Sequence, residues 1–426
     1  MTTTNTSSTR GTPGRSDGFC CDEYAAMHAS VSRRGLLGGA LALAGASTMV
    51  GGAVVTASPA RAESASAVLV VLSLRGAADG LSLVVPHGDP VYYSGVRPRI
   101  AVPSDQLLVK DGMFGLHPNM TSLVPLWTAG KVAAVHATGL PVANRSHFSA
   151  MEEMEDADLG SSERVGWLNR LVSGTPGSSP LQGFSVGTST VPTSLIGPAS
   201  TMSAGRVDDV ELPGNDEDGR RAQSLKIMWN SEKSSLGRSM RATFDAISAF
   251  GPAQAAVDNH SKYPGTGVGQ SLATAAEIIR GDVGVEVITV DQGDWDMHTD
   301  MGSADGGWMA SNAKDLAEAM TAFLGDLGTQ ESKVTLVTLS EFGRRVVEND
   351  SNGTDHGYGN VMFVAGAGVA GGYHGRWPGL GNSYEADLTV TTDYRQVLAD
   401  IVSRRFGASV GKVFPGLKWQ STGVMM

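Results

Sequence analysis

Runs and periodicities of apolar residues predict strands alternating with helices along most of the chain. Ala67–Leu74 (AVLVVLSL) is an unbroken apolar, β-branched run, the pattern of a parallel strand buried on both faces. Asn119 through Trp127 reads as a helix, with Asn119 as its cap and Leu123, Leu126 and Trp127 on one face. Gly130 closes that helix, and Val132–Ala137 (VAAVHA) resumes as a strand. Further on, helices are expected over Ala222–Phe250, Ser271–Arg280, Ala313–Leu327 and Asp393–Phe406, and strands over Val285–Val290, Lys333–Leu339 and Val361–Ala365. Such β–α–β alternation predicts an α/β fold of three layers, α/β/α, around a mostly parallel central sheet. From about Gly174 to Arg221, Ser, Thr, Pro, Gly and Asp dominate, so 174–221 is expected to be a loop-rich insertion over one face.

The first 62 residues read as an address rather than as part of the fold. Ser32-Arg33-Arg34-Gly35-Leu36-Leu37 is a twin-arginine pattern, and the uncharged apolar stretch Gly35–Val55 follows it. Ala60-Arg61-Ala62 offers the small residues a signal peptidase requires, so cleavage is expected before Glu63. This predicts use of the twin-arginine export machinery, an exported location and no membrane span after cleavage. Residues 63–426 then form a single domain. The leader holds both cysteines, Cys20 and Cys21, so the exported chain has to be stable without disulfides. Its removal takes away 5 basic and 3 acidic residues and shifts the net charge from −11 to near −13. No basic cluster remains that could follow a phosphate backbone, which argues against nucleic acid as a partner.

Candidate chemistry gathers where strands are expected to end. Open α/β sheets hold ligands beyond the carboxyl ends of their strands. Asp294, Asp296, His298 and Asp300 alternate with Trp295, Met297 and Thr299 just past Val285–Val290, so an extended chain presents the polar four to one side. Carboxylate with imidazole suits zinc, manganese or iron, whereas carboxylates alone suit calcium or magnesium. The alternative is a solvated acidic loop. Glu341 follows Val334–Leu339, where Arg344 or Arg345 offers a counter-charge without any metal. Asp355-His356 lies between Gly353 and Gly357, which allow close backbone approach. Tyr373-His374-Gly375 is equally well explained as a Gly-rich surface loop. Asp79 ends the first strand. Arg145-Ser146-His147 follows the second, but neighbouring residues on a strand point apart, so this pair is not by itself a Ser–His dyad. His117 at a helix start is expected to cap it.

Several of these segments occur together in a family resemblance. R-G-A-A-D-G (Arg75–Gly80), L-H-P, R-S-H-F, G-W-L-N-R (Gly166–Arg170), D-x-H, S-E-F-G-R and T-D-H-G-Y-G, behind a twin-arginine leader, resemble an uncharacterised family of exported bacterial proteins known as a domain of unknown function. That family is grouped with the alkaline phosphatase/sulfatase superfamily, and the similarity runs from Ala67 to about Phe414. The resemblance implies one or two divalent metals at the strand ends, with Asp79, Asp296, His298, Glu341 and His356 as ligands. It implies Ser146 in the nucleophile region, with His147 and Arg145 beside it and Arg145 holding a small anionic substrate. Ser340-Glu341 replaces the Asp-His dipeptide of the phosphatases, and no Cys-x-Pro-x-Arg exists to become formylglycine. The implied activity is metal-dependent hydrolysis of a phosphate or sulfate ester. The competing expectations are a non-catalytic relative retained for envelope binding or assembly, and a carbohydrate- or peptide-active hydrolase using Ser146.

Overall fold

The computed structural model describes residues 47–50, 53–56, 64–174, 179–188, 190–212 and 219–426. Its strands in chain order are β1 (Ser47–Val50), β2 (Ala53–Thr56), β3 (Val68–Leu74), β4 (Val84–Val85), β5 (Gly115–Leu116), β6 (Val132–Gly139) and β7 (Gly183–Val186). They continue as β8 (Met202–Ala204), β9 (Val287–Gln292), β10 (Val334–Leu339), β11 (Asn360–Gly366), β12 (Gly372–His374) and β13 (Thr392–Asp393). One large sheet runs in the order β1-β2-β8-β7-β9-β3-β10-β11-β6-β12, with β13 also paired to β6, while β4 and β5 form a separate ribbon.

The centre of this mixed, mostly parallel sheet is the parallel set β8, β7, β9, β3 and β10. Alternate residues of β3 supply both faces. Val68, Val70, Leu72 and Leu74 pack with Leu272, Ile279, Leu316, Met320 and Phe323 of helices Gly267–Arg280 and Trp308–Asp326. Leu69 and Val71 pack on the other side with Ala150, Met154, Leu168, Val397 and Ile401, from helices His147–Asp156, Trp167–Val172 and Tyr394–Phe406. Burial on both faces is why the β3 run shows no polar alternation.

The strands end in register: Leu339 of β10 lies opposite Ser73 of β3, and Ser73 opposite Asp291 of β9. The turns after β3, β9 and β10 are thereby held side by side. β11 runs antiparallel to both β10 and β6. Its amino end therefore lies beside the carboxyl ends of β10 and β6, and the segment before it, which carries His356, arrives at the same edge as the turns.

Several expectations are revised. The stretch 174–221 is not simply a loop: it contributes β7 and β8 to the sheet and adds short 3-10 turns at Thr193–Leu195 and Val207–Asp209. Its strands are only four and three residues long and rich in Gly, Ser and Ala, so they carry no apolar run. The helix expected over Ala222–Phe250 divides into Arg220–Asn230 and Ser235–Gln254, and the Ser234 hydroxyl caps the second by accepting from the Gly237 amide at 3.1 Å. Asn119–Trp127 is a 3-10 turn (Pro118–Leu123) followed by the short helix Val124–Thr128, and His117 rather than Asn119 caps it, through Nδ1. The segment expected to be a leader also contributes structure, because β1 and β2 form a hairpin whose Val54 and Val55 pair with Ser203 and Met202 of β8. Cleavage before Glu63 would expose β8 as an edge. The twin arginines and Ala60-Arg61-Ala62 lie outside the described residues.

Candidate metal centre

Three imidazoles and one carboxylate meet where the strand ends converge. His147 is the first residue of helix His147–Asp156 after β6, Asp296 and His298 follow β9, and His356 precedes β11. The Nε2 atom of His356 is 3.1 Å from that of His147 and 3.0 Å from that of His298. Asp296 Oδ1 lies 3.0 Å from His298 Nε2, 3.5 Å from His356 Nε2 and 3.7 Å from His147 Nε2. Donors around a tetrahedral zinc with bonds of 2.0–2.1 Å stand about 3.4 Å apart, so these separations outline a first coordination shell. The ligand atoms of His147, Asp296 and His356 all lie within 4.8 Å of one another, which makes these three a candidate metal-binding group.

The outward ring nitrogens fix the tautomers. His147 Nδ1 faces Glu341 Oε1 at 2.8 Å, His356 Nδ1 faces the Arg145 carbonyl at 2.9 Å, and His298 Nδ1 faces Asp355 Oδ1 at 3.4 Å. A carbonyl and an ionised carboxylate can only accept, so each Nδ1 must carry the hydrogen. Three neutral imidazoles would then aim three Nε2 lone pairs at one another and at a carboxylate. That arrangement repels itself unless protons or a cation occupy the centre. Imidazoles oriented from behind by carboxylate and carbonyl are the usual support of metal-binding histidines. Asp296 Oδ2 is buried with no hydrogen-bond partner, a further acceptor available to a cation. The donors therefore fit a divalent ion of the zinc, manganese or iron kind better than calcium or magnesium, which prefer oxygen.

Electrostatics agree with the geometry. Burial alone would raise the Asp296 carboxyl, but His147, His298, His356 and Arg344 hold it far below the ordinary carboxylate range. Burial is the largest single influence on Glu341 and would raise it, but the bond and charge of His147 together with backbone N–H groups, including that of Gly76, hold it low. Burial would lower His147, yet its bonds to Asp296 and Glu341 push it up to about 9. His147 and Asp296 are almost wholly enclosed, whereas the side chains of His298 and His356 remain 25% and 20% exposed, so the centre opens on their side.

Other expected site residues lie elsewhere or act differently. Asp79 does not reach the group: its carboxylate is gripped by both terminal nitrogens of buried Arg97 and by the Ser82 hydroxyl at 2.6 Å. Arg97 keeps it ionised in spite of burial. Asp79→Asn is expected to lower stability by about 3–5 kcal/mol, since buried Arg97 is left without its counter-charge, while leaving metal affinity unchanged. Urea unfolding together with a metal titration measures both, and loss of metal affinity would return Asp79 to the ligand set. Glu341 sits behind His147 as an orienting carboxylate and also accepts from the Gly76 amide at 2.8 Å. Ser146 is the half-buried cap residue before His147, and its backbone N–H donates to Asn144 Oδ1 at 3.1 Å. The guanidinium of Arg145 is paired with Asp387, and only its carbonyl touches the centre, through His356. His374 is on edge strand β12, bonded to the Ala370 carbonyl at 2.7 Å and apart from the centre.

Two arginines carry roles that the pattern of the chain did not announce. Arg97, in the irregular Arg-Pro-Arg segment, is the partner of Asp79. Arg344, expected as a partner for Glu341, instead pairs with Asp296 at 2.6 Å. The glycines around it gave a signal. A side chain at Gly357 would put its Cβ 2.3 Å from the Arg344 carbonyl carbon, and one at Gly353 would put it 2.3 Å from His298 backbone. Bare backbone at both points is what lets the His356 loop close on its neighbours.

No curated protein matches the chain. The family model described as "Protein of unknown function (DUF1501)" matches residues 114–403, more than half of the chain and a span that contains every member of the His147, Asp296, His298, His356 cluster but not Asp79. The chain belongs to the DUF1501 family.

Proposed function

We propose that this protein is an exported, metal-dependent hydrolase of the alkaline phosphatase/sulfatase kind, acting on a phosphate, sulfate or related anionic ester. The reading rests on one observation above all: three imidazole Nε2 atoms converge on Asp296 while each Nδ1 is tied off behind. A divalent ion at that point supplies Lewis-acid chemistry to an ester oxygen or a water. The chain's own part is to hold the donors rigid, with Glu341 and Asp355 fixing two rings and Arg344 fixing the carboxylate. The partly exposed edges of His298 and His356 leave a side from which a substrate can approach. A helix N-terminus at His147 adds partial positive charge there, which favours an anion. Export rests on the twin-arginine pattern and the Ala60-Arg61-Ala62 site, and among the described residues no helix is long and apolar enough to cross a membrane.

A non-catalytic, envelope-binding protein with a structural metal is the second reading. It is favoured by the number of donors, since three nitrogens and one oxygen saturate a tetrahedral ion as structural sites do. Metal analysis of the purified exported protein, followed by chromogenic phosphate and sulfate esters with and without chelator, separates the two. Bound metal with chelator-sensitive hydrolysis supports the enzyme. Bound metal with no turnover supports the structural role, and folded, inert protein that never takes up metal removes the enzyme reading and favours envelope binding without a metal.

A further inference from the structure

The Arg344 guanidinium is fully buried beside the metal-binding donors, where an extra positive charge ought to oppose a cation. What it contacts explains its presence. Nε donates to the Ala77 carbonyl at 2.6 Å, and Nη1 to the Thr354 carbonyl at 3.0 Å. Nη2 reaches the Gly76 carbonyl at 2.5 Å, the Trp295 carbonyl at 3.2 Å and Asp296 Oδ1 at 2.6 Å. Those acceptors belong to the turn after β3, the turn after β9 and the loop before β11. Nη1 is also 3.4 Å from His298 Nε2, which can meet an N–H only with its lone pair. One planar fork thus joins three segments from distant parts of the sequence, two of which bear the cluster: Asp296 and His298 on one, His356 on the other.

We infer that Arg344 is a built-in cation that assembles the ligand loops before any metal arrives, so that the ion enters a preformed site. The inference rests on the metal reading above. In the metal-free protein Arg344 neutralises Asp296 and donates to the carbonyls of Gly76, Ala77 and Thr354, while the Trp295 carbonyl also accepts from the Met297 amide at 2.9 Å. It is a positioning residue, acting on the ion through Asp296 and the loops. Lysine cannot replace it: an ammonium carries the same charge but only three donors, without the fork geometry. Arg344→Lys therefore keeps the electrostatic opposition to the metal constant and removes only the positioning.

The test compares wild type, Arg344→Lys and the core variant Leu72→Ala, whose site lies within the sheet away from the loops. Zinc and manganese affinities are measured by competition with a chelating dye, and amide hydrogen exchange is followed in the metal-free proteins. Arg344→Lys is expected to weaken metal binding by about 10–100-fold, the range seen when supporting partners of metal ligands are lost. Exchange at 76–78, 295–298 and 353–357 should become fast in that variant without metal and remain slow in wild type. Leu72→Ala should be globally less stable yet bind metal within about twofold of wild type, which separates positioning from stability. Wild-type affinity in Arg344→Lys, or loops that exchange fast in metal-free wild type, would overturn the inference. Wild type that binds no ion but keeps its loops protected would remove the metal reading alone, leaving Arg344 as the assembler of the loops.

Discussion

Asp296→Ala is expected to abolish measurable metal binding and to lower the unfolding free energy of the metal-free protein by about 3–5 kcal/mol, the cost of leaving one partner of a buried ion pair alone. Two independent consequences come from one side chain. Asp296 is the one carboxylate that all three converging imidazoles address, with contacts of 3.0 to 3.7 Å, so its removal deletes the anionic donor of the site. Among the described residues it is also the only acid in an ion pair with Arg344, whose guanidinium has no exposure through which water could compensate the charge. The loss in affinity should exceed the 10–100-fold typical of an orienting partner, because a donor itself is gone. Metal stoichiometry after dialysis and urea unfolding of chelated protein measure the two effects. Adding Arg344→Met to Asp296→Ala should cost less than the sum of the single changes, since the stranded charge disappears. A metal-free Asp296→Ala protein as stable as wild type would show that Arg344 is neutralised by something else.

What the sequence disclosed and what it hid follow from the range of the forces involved. β3, β10 and β11 were legible because a strand buried on both faces is mostly apolar and β-branched, with no regular polar alternation. Asp296, His298 and His356 were legible as candidates because carboxylate and imidazole at strand ends have few other reasons to recur. Their convergence depended on something the pattern does not encode. His356 precedes its strand and reaches the centre only because β11 runs opposite to β10, and strand direction is decided by pairing across the sheet. The same non-locality hid Arg97, more than a dozen residues beyond Asp79 in a segment without periodicity, and so left Asp79 looking like a ligand. It also exchanged the expected partners of Glu341 and Arg344: the carboxylate went to His147 and the guanidinium to Asp296. Short strands such as β7 and β8 are fixed by their neighbours β9 and β2, since three or four small residues carry too little apolar surface to declare themselves.

Metal affinity is expected to rise about 50-fold between pH 7 and pH 9 and to level off above that at about 100-fold its pH 7 value. His147 governs this range, because its bonds to Asp296 and Glu341 outweigh burial and bring it to about 9 in the metal-free protein. The proton it holds on Nε2 occupies the lone pair that a metal needs, so binding below pH 9 must expel it. Expelling one proton makes the apparent affinity fall about tenfold for each pH unit below 9. Stability of the metal-free protein moves the opposite way. A histidine raised above its unfolded value of 6.5 stabilises fully below pH 6.5, and that contribution is lost as pH climbs through about 9. The bound and free proteins should therefore diverge in stability as the solution becomes alkaline, the metal compensating for the proton that leaves. Calorimetric titration at pH 7, in two buffers of different ionisation enthalpy, counts the protons released and should find about one from this group. Glu341→Gln removes one of the two carboxylates that raise His147, so the rise in affinity should be complete at a lower pH in that variant. An affinity flat from pH 7 to pH 9, with no proton released, would place the exchangeable proton somewhere other than the ring that faces Asp296.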